Sequence, residues 1–377
     1  MIDYTKPLGS YISFMSNKVK TYGGINFAQG IPGFQPPVEL INKLKENADK
    51  DLHQYAPGNG NKELLDVLLE KYNKQYPFTL DNFIVLQGAT EALTLLFIYF
   101  SKIIDKPFST LAFDPVYESY KNLPKIFGSE FIPYSFNEEG NVDFEKFEKT
   151  CVSNNVKLVF LSSPGNPYGK IWSKNEIIKL VEISKKRKIF IVIDAVYREL
   201  YFEEKPYIPL DIFNEYLFYT NSFSKILSVT GWRIGYLIAH KKHMDAIKSI
   251  HDYTGLCAAT VLQQSIVDYL IESDFGEKYV TNLRENLAWS YKFISNELIK
   301  LGFTIPETKG GYFVWAKLPE RFHDGFKFAI DLYEEQKLAV IPGEHFSDKC
   351  SNFIRINIAR PKSEIMQGLD KLKEFCK

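Results

Sequence analysis

The amino-acid sequence predicts a doubly wound α/β domain with a mostly parallel sheet, together with a smaller α+β domain. The chain has 377 residues, which is enough for one large and one small domain. Between about residues 83 and 240, short apolar runs alternate with amphipathic helical segments. Polar side chains follow several of these runs, and the alternation stops in about the last hundred residues. These observations together predict the two-part architecture.

The strand candidates are mostly apolar on both faces, as the strands of a parallel sheet covered by helices must be. In chain order they are Phe83–Gln87, Thr110–Phe113, Val156–Leu161, Ile189–Ile193, Leu217–Thr220 and Gly235–Ala239. Helical segments at Thr90–Phe100 and Lys174–Lys188 lie between them. We expect right-handed crossovers, with ligands at the carboxyl ends of the strands.

The C-terminal part of the chain has a different pattern. A helical stretch near residues 262–300 precedes GGYFVWAKL, a helix near 325–336, the strand-like LAVIP and FIRINIA, and a final helix. Such a mixture is typical of an α+β domain. We therefore expect a large domain over residues 37–275 and a small domain over residues 276–377, joined by an N-terminal segment of residues 1–36.

Composition limits the classes of partner. Lys+Arg and Asp+Glu are equal at 46 each, so no global field attracts nucleic acid or an anionic membrane. The four cysteines form no C-x-x-C pair, and His240 and His243 are flanked by lysines on an expected solvated helix face, so we expect no metal site. No apolar run reaches the roughly 18 residues of a membrane span, and none resembles a signal peptide. We expect a cytoplasmic protein.

A candidate anion site follows the strand in FIVLQGATEAL. Gly88, Ala89 and Thr90 fall at a helix N-terminus, where free backbone N–H groups and the helix dipole favour an anion such as phosphate. Thr90 followed by Glu91 also suits a plain helix cap, and from this segment alone the cap is the favoured interpretation.

A carboxylate ends the apolar strand in IFIVIDAVY. Asp194 is poorly solvated there and needs a cationic partner, for which a protonated pyridine nitrogen is suitable. A simple turn or cap residue is the alternative. Tyr197, three residues later, could reach the same ligand or be a half-buried packing tyrosine.

Two further residues have both a binding and a structural interpretation. Asn166, in SSPGNPYG, has a donor–acceptor side chain on a backbone restricted by Pro167, although most Asn-Pro pairs are only turns. Arg355, in NFIRINIA, lies inside an apolar run without a nearby acid in the sequence. Its planar guanidinium can bind a substrate carboxylate through two hydrogen bonds, and an internal salt bridge is the alternative.

The segment TNSFSKILSVTGWRIGY carries the strongest pattern. Ser222, Ser224, Lys225 and Arg233 place two hydroxyls, an amine and a guanidinium around one loop after a strand. Burial and neighbouring cations lower the pKa of a lysine and make it a nucleophile that forms Schiff bases. Arg233 can bind a phosphate through two hydrogen bonds, and Ser222 can donate another. A lone lysine is usually a surface residue, but this context predicts a functional one.

Taken together, these segments resemble the class I/II aminotransferases, which are fold-type I enzymes of pyridoxal 5'-phosphate (PLP). The resemblance covers nearly the whole chain, from INFAQGIPGF to the final helix. The segments INFAQGIPGFQPP, HQYAPGNGNKEL, DPVYESY, SKILSVTGWRIGY and GGYFVWAKL look most like the branch of methionine and kynurenine aminotransferases, the latter also called cysteine-conjugate β-lyases. Each short motif is weak, but their fixed order is specific.

The resemblance implies a role for each matching residue. Lys225 would form the aldimine with PLP and move the proton of the reaction, and Asp194 would pair with the ring nitrogen. Asn166 and Tyr197 would bind the ring 3-oxygen, and Tyr117 would stack on the ring face. The phosphate would be bound by Ala89, Thr90, Ser222 and Arg233, and Tyr55 would reach the phosphate of the partner subunit. The substrate would be bound by Arg355, Asn166 and the Gly30 backbone. The implied active unit is a homodimer.

Departures from the family pattern bear on the substrate. Ile31 and Gly33 stand where the branch usually has an aromatic residue and an acid, and Leu256 and Cys257 stand where kynurenine-acting members have an aromatic residue and a histidine. If Leu256, Ile31 and Tyr11 line the pocket, they favour an apolar or thioether side chain. We therefore expect an aminotransferase that takes methionine or an aromatic or apolar L-amino acid and a 2-oxo acid.

The sequence leaves one rival function open and disfavours two others. A PLP-dependent C–S β-lyase would use the same residues, and release of pyruvate and thiol would distinguish it. A non-catalytic PLP-binding regulator would need an added DNA-binding segment or basic patch, which we do not find. A nicotinamide-binding Rossmann protein is disfavoured because PGNG at residues 57–60 is not a G-x-G-x-x-G turn.

Overall fold

The structure is a computed structural model that describes residues 2–137 and 140–377. Its strands, in chain order, are β1 (Ile25–Asn26), β2 (Phe83–Leu86), β3 (Ser109–Asp114), β4 (Glu130–Ser135), β5 (Val156–Ser162), β6 (Phe190–Asp194), β7 (Leu217–Ser222), β8 (Gly235–Ala239), β9 (Phe313–Lys317), β10 (Leu338–Ala339), β11 (Ile341–Pro342) and β12 (Phe353–Asn357).

Helices precede and separate these strands along the whole chain. In order they are α1 (Tyr11–Tyr22), α2 (Val38–Ala48), α3 (Lys62–Asn73), α4 (Ala89–Ile103), α5 (Glu118–Ile126), α6 (Phe144–Ser153), α7 (Lys174–Arg187), α8 (Phe223–Ile226), α9 (Lys241–Thr254), α10 (Thr260–Glu272), α11 (Glu277–Lys300), α12 (Gly325–Gln336) and α13 (Lys362–Phe375). No helix of the described ranges is both long and apolar enough to cross a bilayer.

The central sheet has the order β2-β8-β7-β6-β5-β3-β4. β8 runs antiparallel to both of its neighbours, and the pairs from β7 through β4 are parallel. Alternate residues of β2 enter different cores, since Phe83 and Val85 pack on one face while Ile84 and Leu86 pack on the other. Both faces are therefore covered, which confirms the predicted mostly parallel, doubly wound α/β sheet.

The strands of this sheet were predicted with small errors at their ends, but the edge strand β4 was missed. Its first, fourth and sixth residues are exposed, and it contains Pro133, so its sequence lacks a continuous apolar run. An edge strand tolerates proline because one row of its backbone groups has no strand to pair with. β4 pairs with β3 alone, in register from Ser109–Glu130 to Asp114–Ser135.

Two other expectations need correction. The stretch near 262–300 is two helices, α10 and α11, because Asp274, Phe275 and Gly276 all have positive φ and cannot continue an α-helix. His243 is not on a solvated face: it is 4% exposed, and its Nδ1 lies 2.6 Å from the Tyr99 hydroxyl.

Two small sheets lie outside the central one. β11, β12 and β9 form an antiparallel sheet, in which Arg355 of β12 is in register with Ile341 and Trp315. The run LAVIP is split, since β10 leaves this sheet and pairs in parallel with β1 of the N-terminal segment. The N-terminal segment is thus tied by strand pairing to the C-terminal part of the chain.

Register aligns the carboxyl ends of the central strands. Ser162 of β5 is paired with Asp194 of β6, which is paired in turn with Thr220 of β7. The segments that follow these residues therefore emerge side by side at one edge of the sheet, as ligand-binding loops do in open α/β folds.

Gly235 fixes the spacing between this edge and the start of α4. A Cβ at position 235 would lie 2.8 Å from the Asn221 carbonyl oxygen and 2.8 Å from Gly88 Cα. We expect Gly235→Ala to lower the free energy of unfolding by about 1–3 kcal/mol, because backbone atoms must move to admit the methyl group. Urea denaturation measures it, with Gly9→Ala as control, since a Cβ at position 9 has nothing within 4 Å. Equal midpoints for both variants would contradict this.

Candidate active site

A cavity of about 220 Å³ lies at the carboxyl edge of the central sheet. The sequence-predicted residues that line it are Gly30, Ala89, Thr90, Tyr117, Asn166, Asp194, Tyr197, Ser222, Lys225, Arg233 and Arg355. They come from the N-terminal segment, from the last residues of β6 and β7, from the segments that follow β2, β3, β5, β6 and β7, and from β12. The fold thus brings together residues that are spread over most of the chain.

One end of the cavity is built to accept an anion. α4 begins at Ala89, so the free N–H groups and positive dipole of a 15-residue helix face this end. Arg233 is anchored there by hydrogen bonds from its guanidinium to the carbonyls of Thr230 (2.9 Å) and Gln87 (3.2 Å). Gly88, at φ 86°, leaves room for it, since a Cβ would lie 2.5 Å from Arg233 Nη2. With the hydroxyl of buried Ser222, these groups can bind a phosphate.

Asp194 supplies a buried carboxylate to the wall of the same cavity. It is 5% exposed, and burial raises its pKa despite hydrogen bonds from Tyr120 (2.8 Å) and the Val196 backbone (3.3 Å). No ion pair joins it to any cation of the described residues at contact distance. A buried carboxylate in this state can take a cationic ring nitrogen as its partner.

Lys225 lines the same cavity. Its Nζ donates a hydrogen bond to the Gly30 carbonyl, and Tyr312 donates to its backbone carbonyl at 2.6 Å. Burial lowers the pKa of Lys225 to about 8, and the charges of Arg355 and Arg233 act in the same direction. A far larger fraction of this amine than of an ordinary lysine is therefore neutral and nucleophilic near neutral pH.

Arg355 is a fully buried cation on β12. Its Nη1 donates to Asn166 Oδ1 at 2.9 Å, its Nη2 donates to the Ala28 carbonyl, and its Nε is buried without a hydrogen-bond partner. Burial lowers its pKa to about 10. The guanidinium also faces the rings of Phe313 and Phe346. No carboxylate of the described residues forms an ion pair with it, so none of them occupies the guanidinium as an internal salt bridge would, and an anion can bind there.

The remaining predicted residues form the walls. Tyr197 is buried, with its ring centroid 5.8 Å from Lys225 Nζ. Tyr117 is the residue before α5, and its ring lies edge-on to Tyr120 with centroids 5.6 Å apart. Asn166 lines the cavity and accepts a hydrogen bond from Arg355. A planar ligand can thus lie against aromatic side chains while its polar substituents meet the charged groups.

Several expected residues lie outside the cavity. Tyr55 is 82% exposed and lies on another surface with Leu256. Tyr11 and Ile31 do not line the cavity either, and Ile12 takes the place expected for Tyr11. The condition on which Leu256, Ile31 and Tyr11 bear on the substrate, that they line the cavity, is therefore not met within the single chain. The cause is that helical spacing in α1 turns Ile12 to the cavity and Tyr11 to the His345 ring.

Among the residues of the site that the sequence patterns did not mark, four bear most on its chemistry. Tyr120 donates to Asp194, Tyr312 donates to the backbone of Lys225, and Glu118 lines the cavity with His345 behind it. For Tyr120 a pattern was present, because it lies three residues after Tyr117 and so shares a helix face with it. The contact between Glu118 and His345 joins distant segments and has no local pattern.

These features suit one type of ligand. A phosphate at the start of α4, a protonated ring nitrogen at Asp194 and a carbonyl carbon near Lys225 are the reactive parts of PLP. The buried Nε of Arg355 leaves a further donor for a second anion, such as a carboxylate.

Comparison with known proteins agrees with this geometry. The family model described as aminotransferase class I and II matches residues 22–372. A probable aspartate aminotransferase of Methanocaldococcus jannaschii is 31% identical over 359 residues, covering 93% of each chain. An aspartate aminotransferase structure from Thermotoga maritima has a TM-score of 0.87 at 26% identity, covering 98% of this chain and 97% of that one.

Another solved structure shows the same fold. An Escherichia coli protein for which a methionine aminotransferase function is described has a TM-score of 0.87 at 24% identity, and the match covers 99% of this chain and 98% of that chain. With the family match over nearly the whole length, the chain belongs to the class I and II aminotransferases, which are PLP-dependent enzymes of fold-type I that act on amino acids and 2-oxo acids.

Proposed function

We propose that this aminotransferase takes its amino group from an L-amino acid with a neutral side chain, with methionine or an aromatic or apolar residue favoured, and passes it to a 2-oxo acid. The observation that carries this proposal is the set of cations in the cavity. Lys225, Arg233 and Arg355 are the lysines and arginines among its described lining residues.

Each of these cations already has a partner in the proposed reaction. Arg233 would bind the cofactor phosphate, Lys225 would bind the cofactor carbonyl carbon, and Arg355 would bind the substrate α-carboxylate. A side-chain carboxylate would then have no further cation to pair with among the described lining residues, and burying it unpaired is costly. The aspartate aminotransferases among the relatives thus differ from this chain in the proposed donor, and Ile12 offers the side chain an apolar contact.

Lys225 is the proposed proton carrier. Bound PLP acts as an electron sink that makes the Cα–H bond of the substrate acidic. The Lys225 amine, with its pKa of about 8, can accept this proton and deliver it to the neighbouring carbon that becomes the new amine-bearing centre. Arg355 and Asn166 would hold the carboxylate so that the Cα–H bond points toward Lys225, which is a positioning effect.

Asp194 and Tyr120 are proposed to act as a unit. Asp194 would keep the ring nitrogen protonated, and the Tyr120 hydroxyl at 2.8 Å would hold the carboxylate in its ionised form. Tyr120 itself stacks on Phe160 with centroids 5.2 Å apart and planes at 2°, so its hydroxyl has little freedom to turn away.

The assembly, compartment and domain limits are also proposals. An exposed Tyr55, remote from the cavity of its own chain, suits a homodimer in which it reaches the phosphate of the other subunit. The four cysteines are all free, which suits a reducing cytoplasm. The confinement of the central sheet to residues between Phe83 and Ala239 is compatible with a large domain over 37–275 and a small one over 276–377.

A half-reaction screen tests the function. Each common L-amino acid is added singly to the PLP-loaded protein without an oxo acid, and the absorbance of the cofactor is followed while pyruvate and thiol are assayed. We expect methionine and aromatic amino acids to convert the cofactor to its amine form fastest. Release of pyruvate and thiol with the original absorbance restored would identify a C–S lyase instead, and no conversion by any amino acid would overturn the proposal.

We expect Lys225→Ala to remove the visible absorption band of bound PLP and to lower turnover at least about 10⁴-fold, because the covalent link and the proton carrier are lost together. Spectroscopy and steady-state kinetics measure both effects. Lys74→Ala, on an exposed residue at the C-terminal end of α3, is the control and should match the wild type. Turnover retained in Lys225→Ala would exclude the mechanism.

We expect Arg355→Lys to raise KM for amino donors about 30-fold or more, because loss of the fork from a buried charge pair costs about 2–5 kcal/mol. The cofactor band should persist, since Arg355 would not contact the phosphate. Steady-state kinetics with a fixed oxo acid checks the KM values. An unchanged KM would show that Arg355 does not bind the substrate carboxylate.

We expect Tyr120→Phe to lower kcat about tenfold with little change in donor KM, since a hydrogen bond to a charged group contributes about 1.5–3 kcal/mol and Asp194 meets the ring rather than the substrate. Phenylalanine retains the stack on Phe160. A kcat equal to that of the wild type would show that Tyr120 only packs.

A further inference from the structure

An acid–histidine pair lies at the wall of the cavity and has no part in the roles assigned above. Glu118, the first residue of α5, lines the cavity. His345 Nε2 is 3.0 Å from Glu118 Oε2, and the side chains are 6% and 23% exposed, respectively. Glu118 is the glutamate among the described lining residues, and Asp194 is the aspartate.

The pair is held rigidly from several elements. The Tyr11 ring of α1 stacks on the His345 ring, with centroids 5.5 Å apart and planes at 27°. Lys121 Nζ donates to the His345 carbonyl at 2.7 Å. The negative charge of Glu118 lies in the first turn of α5, where the helix dipole stabilises it. The carboxylate is therefore a fixed feature of the wall rather than a mobile surface group.

The pair adjoins the Arg355 end of the cavity. His345 precedes Phe346, whose ring centroid lies 4.8 Å from the Arg355 guanidinium carbon. Burial works against ionisation of Glu118, but His345 and Arg355 outweigh it and the pKa of Glu118 is lowered. A substrate whose α-carboxylate binds Arg355 would thus carry its side chain close to an anion.

We propose that Glu118, oriented by His345, is a specificity residue that rejects amino donors with acidic side chains. This inference rests on the proposed aminotransferase function and on the α-carboxylate role of Arg355. A side-chain carboxylate would meet a like charge in a poorly solvated cavity, where repulsion is strong. Because Glu118 already has His345 as its partner, the site does not need a cationic side chain and is left with neutral donors.

Aspartate and asparagine are the matched pair of donors that tests this, since they differ in charge and hardly in shape. In the wild-type half-reaction we expect the second-order rate constant for asparagine to exceed that for aspartate. In Glu118→Gln we expect this asparagine-to-aspartate ratio to fall about 10–100-fold, mostly through faster reaction of aspartate. Methionine should change by less than about threefold. Glu70→Gln, on an exposed residue of α3, is the control.

Binding without reaction gives a second measure. Maleate and its monoamide, maleamate, are titrated into the PLP-loaded protein, and their dissociation constants are taken from the cofactor absorbance. We expect the preference for maleamate over maleate to fall about 10–100-fold in Glu118→Gln. His345→Gln should reduce the same preference by a smaller factor, because Glu118 would keep its charge but lose its fixed orientation.

The outcomes separate this inference from the function on which it rests. Wild-type protein that reacts faster with aspartate than with asparagine, or binds maleate more tightly than maleamate, overturns the inference while leaving an aminotransferase. The same holds if Glu118→Gln alters both members of each pair equally, which would make Glu118 a structural residue. If no amino acid converts the cofactor, both this inference and the proposed function are overturned.

Discussion

The alignment of strand ends in the central sheet is the constraint on which the site depends. Parallel strands paired in register deliver the segments after β5, β6 and β7 to the same edge, so Asn166, Asp194 and Lys225 meet without any local pattern that joins them. The antiparallel β8 then returns beside β2, and its first residue packs against Gly88. A change in this register would separate the anion end of the cavity from the carboxylate and from the lysine.

Charge balance within the cavity follows from this geometry. Three cations and two carboxylates, Asp194 and Glu118, face a small buried space. Burial lowers the pKa of both Lys225 and Arg355, and for Lys225 the surplus positive charge of Arg355 and Arg233 acts in the same direction. Anionic ligands therefore relieve an electrostatic cost that the ligand-free chain carries, and their binding should stabilise the fold by mass action. The same surplus that makes Lys225 nucleophilic also attracts the phosphate and the carboxylate.

The central sheet and its ligand-binding edge could be predicted from the sequence because both arise from local patterns. Apolar runs marked six of its strands, and the residues directly after them, such as Asp194 and Lys225, do line the cavity. The contacts that complete the site could not be predicted. Tyr120 and Asp194 are 74 positions apart, and Arg355 reaches the Ala28 carbonyl 327 positions away. The sequence marks Asp194 and Arg355 individually, but only the folded chain reveals their partners, since no local pattern joins segments so far apart.

Substrate choice is harder to infer than chemistry for a related reason. The groups that would bind the cofactor come from strand ends that any chain of this architecture must place together. The wall that would meet the donor side chain is made by α1, by the start of α5 and by the turn before Phe346, which approach one another only because β1 pairs with β10 and β11 with β12. Small changes in these segments alter the charge of the wall without disturbing the sheet. Relatives named aspartate aminotransferases can therefore share the whole fold with this chain while differing in the donor that the wall admits.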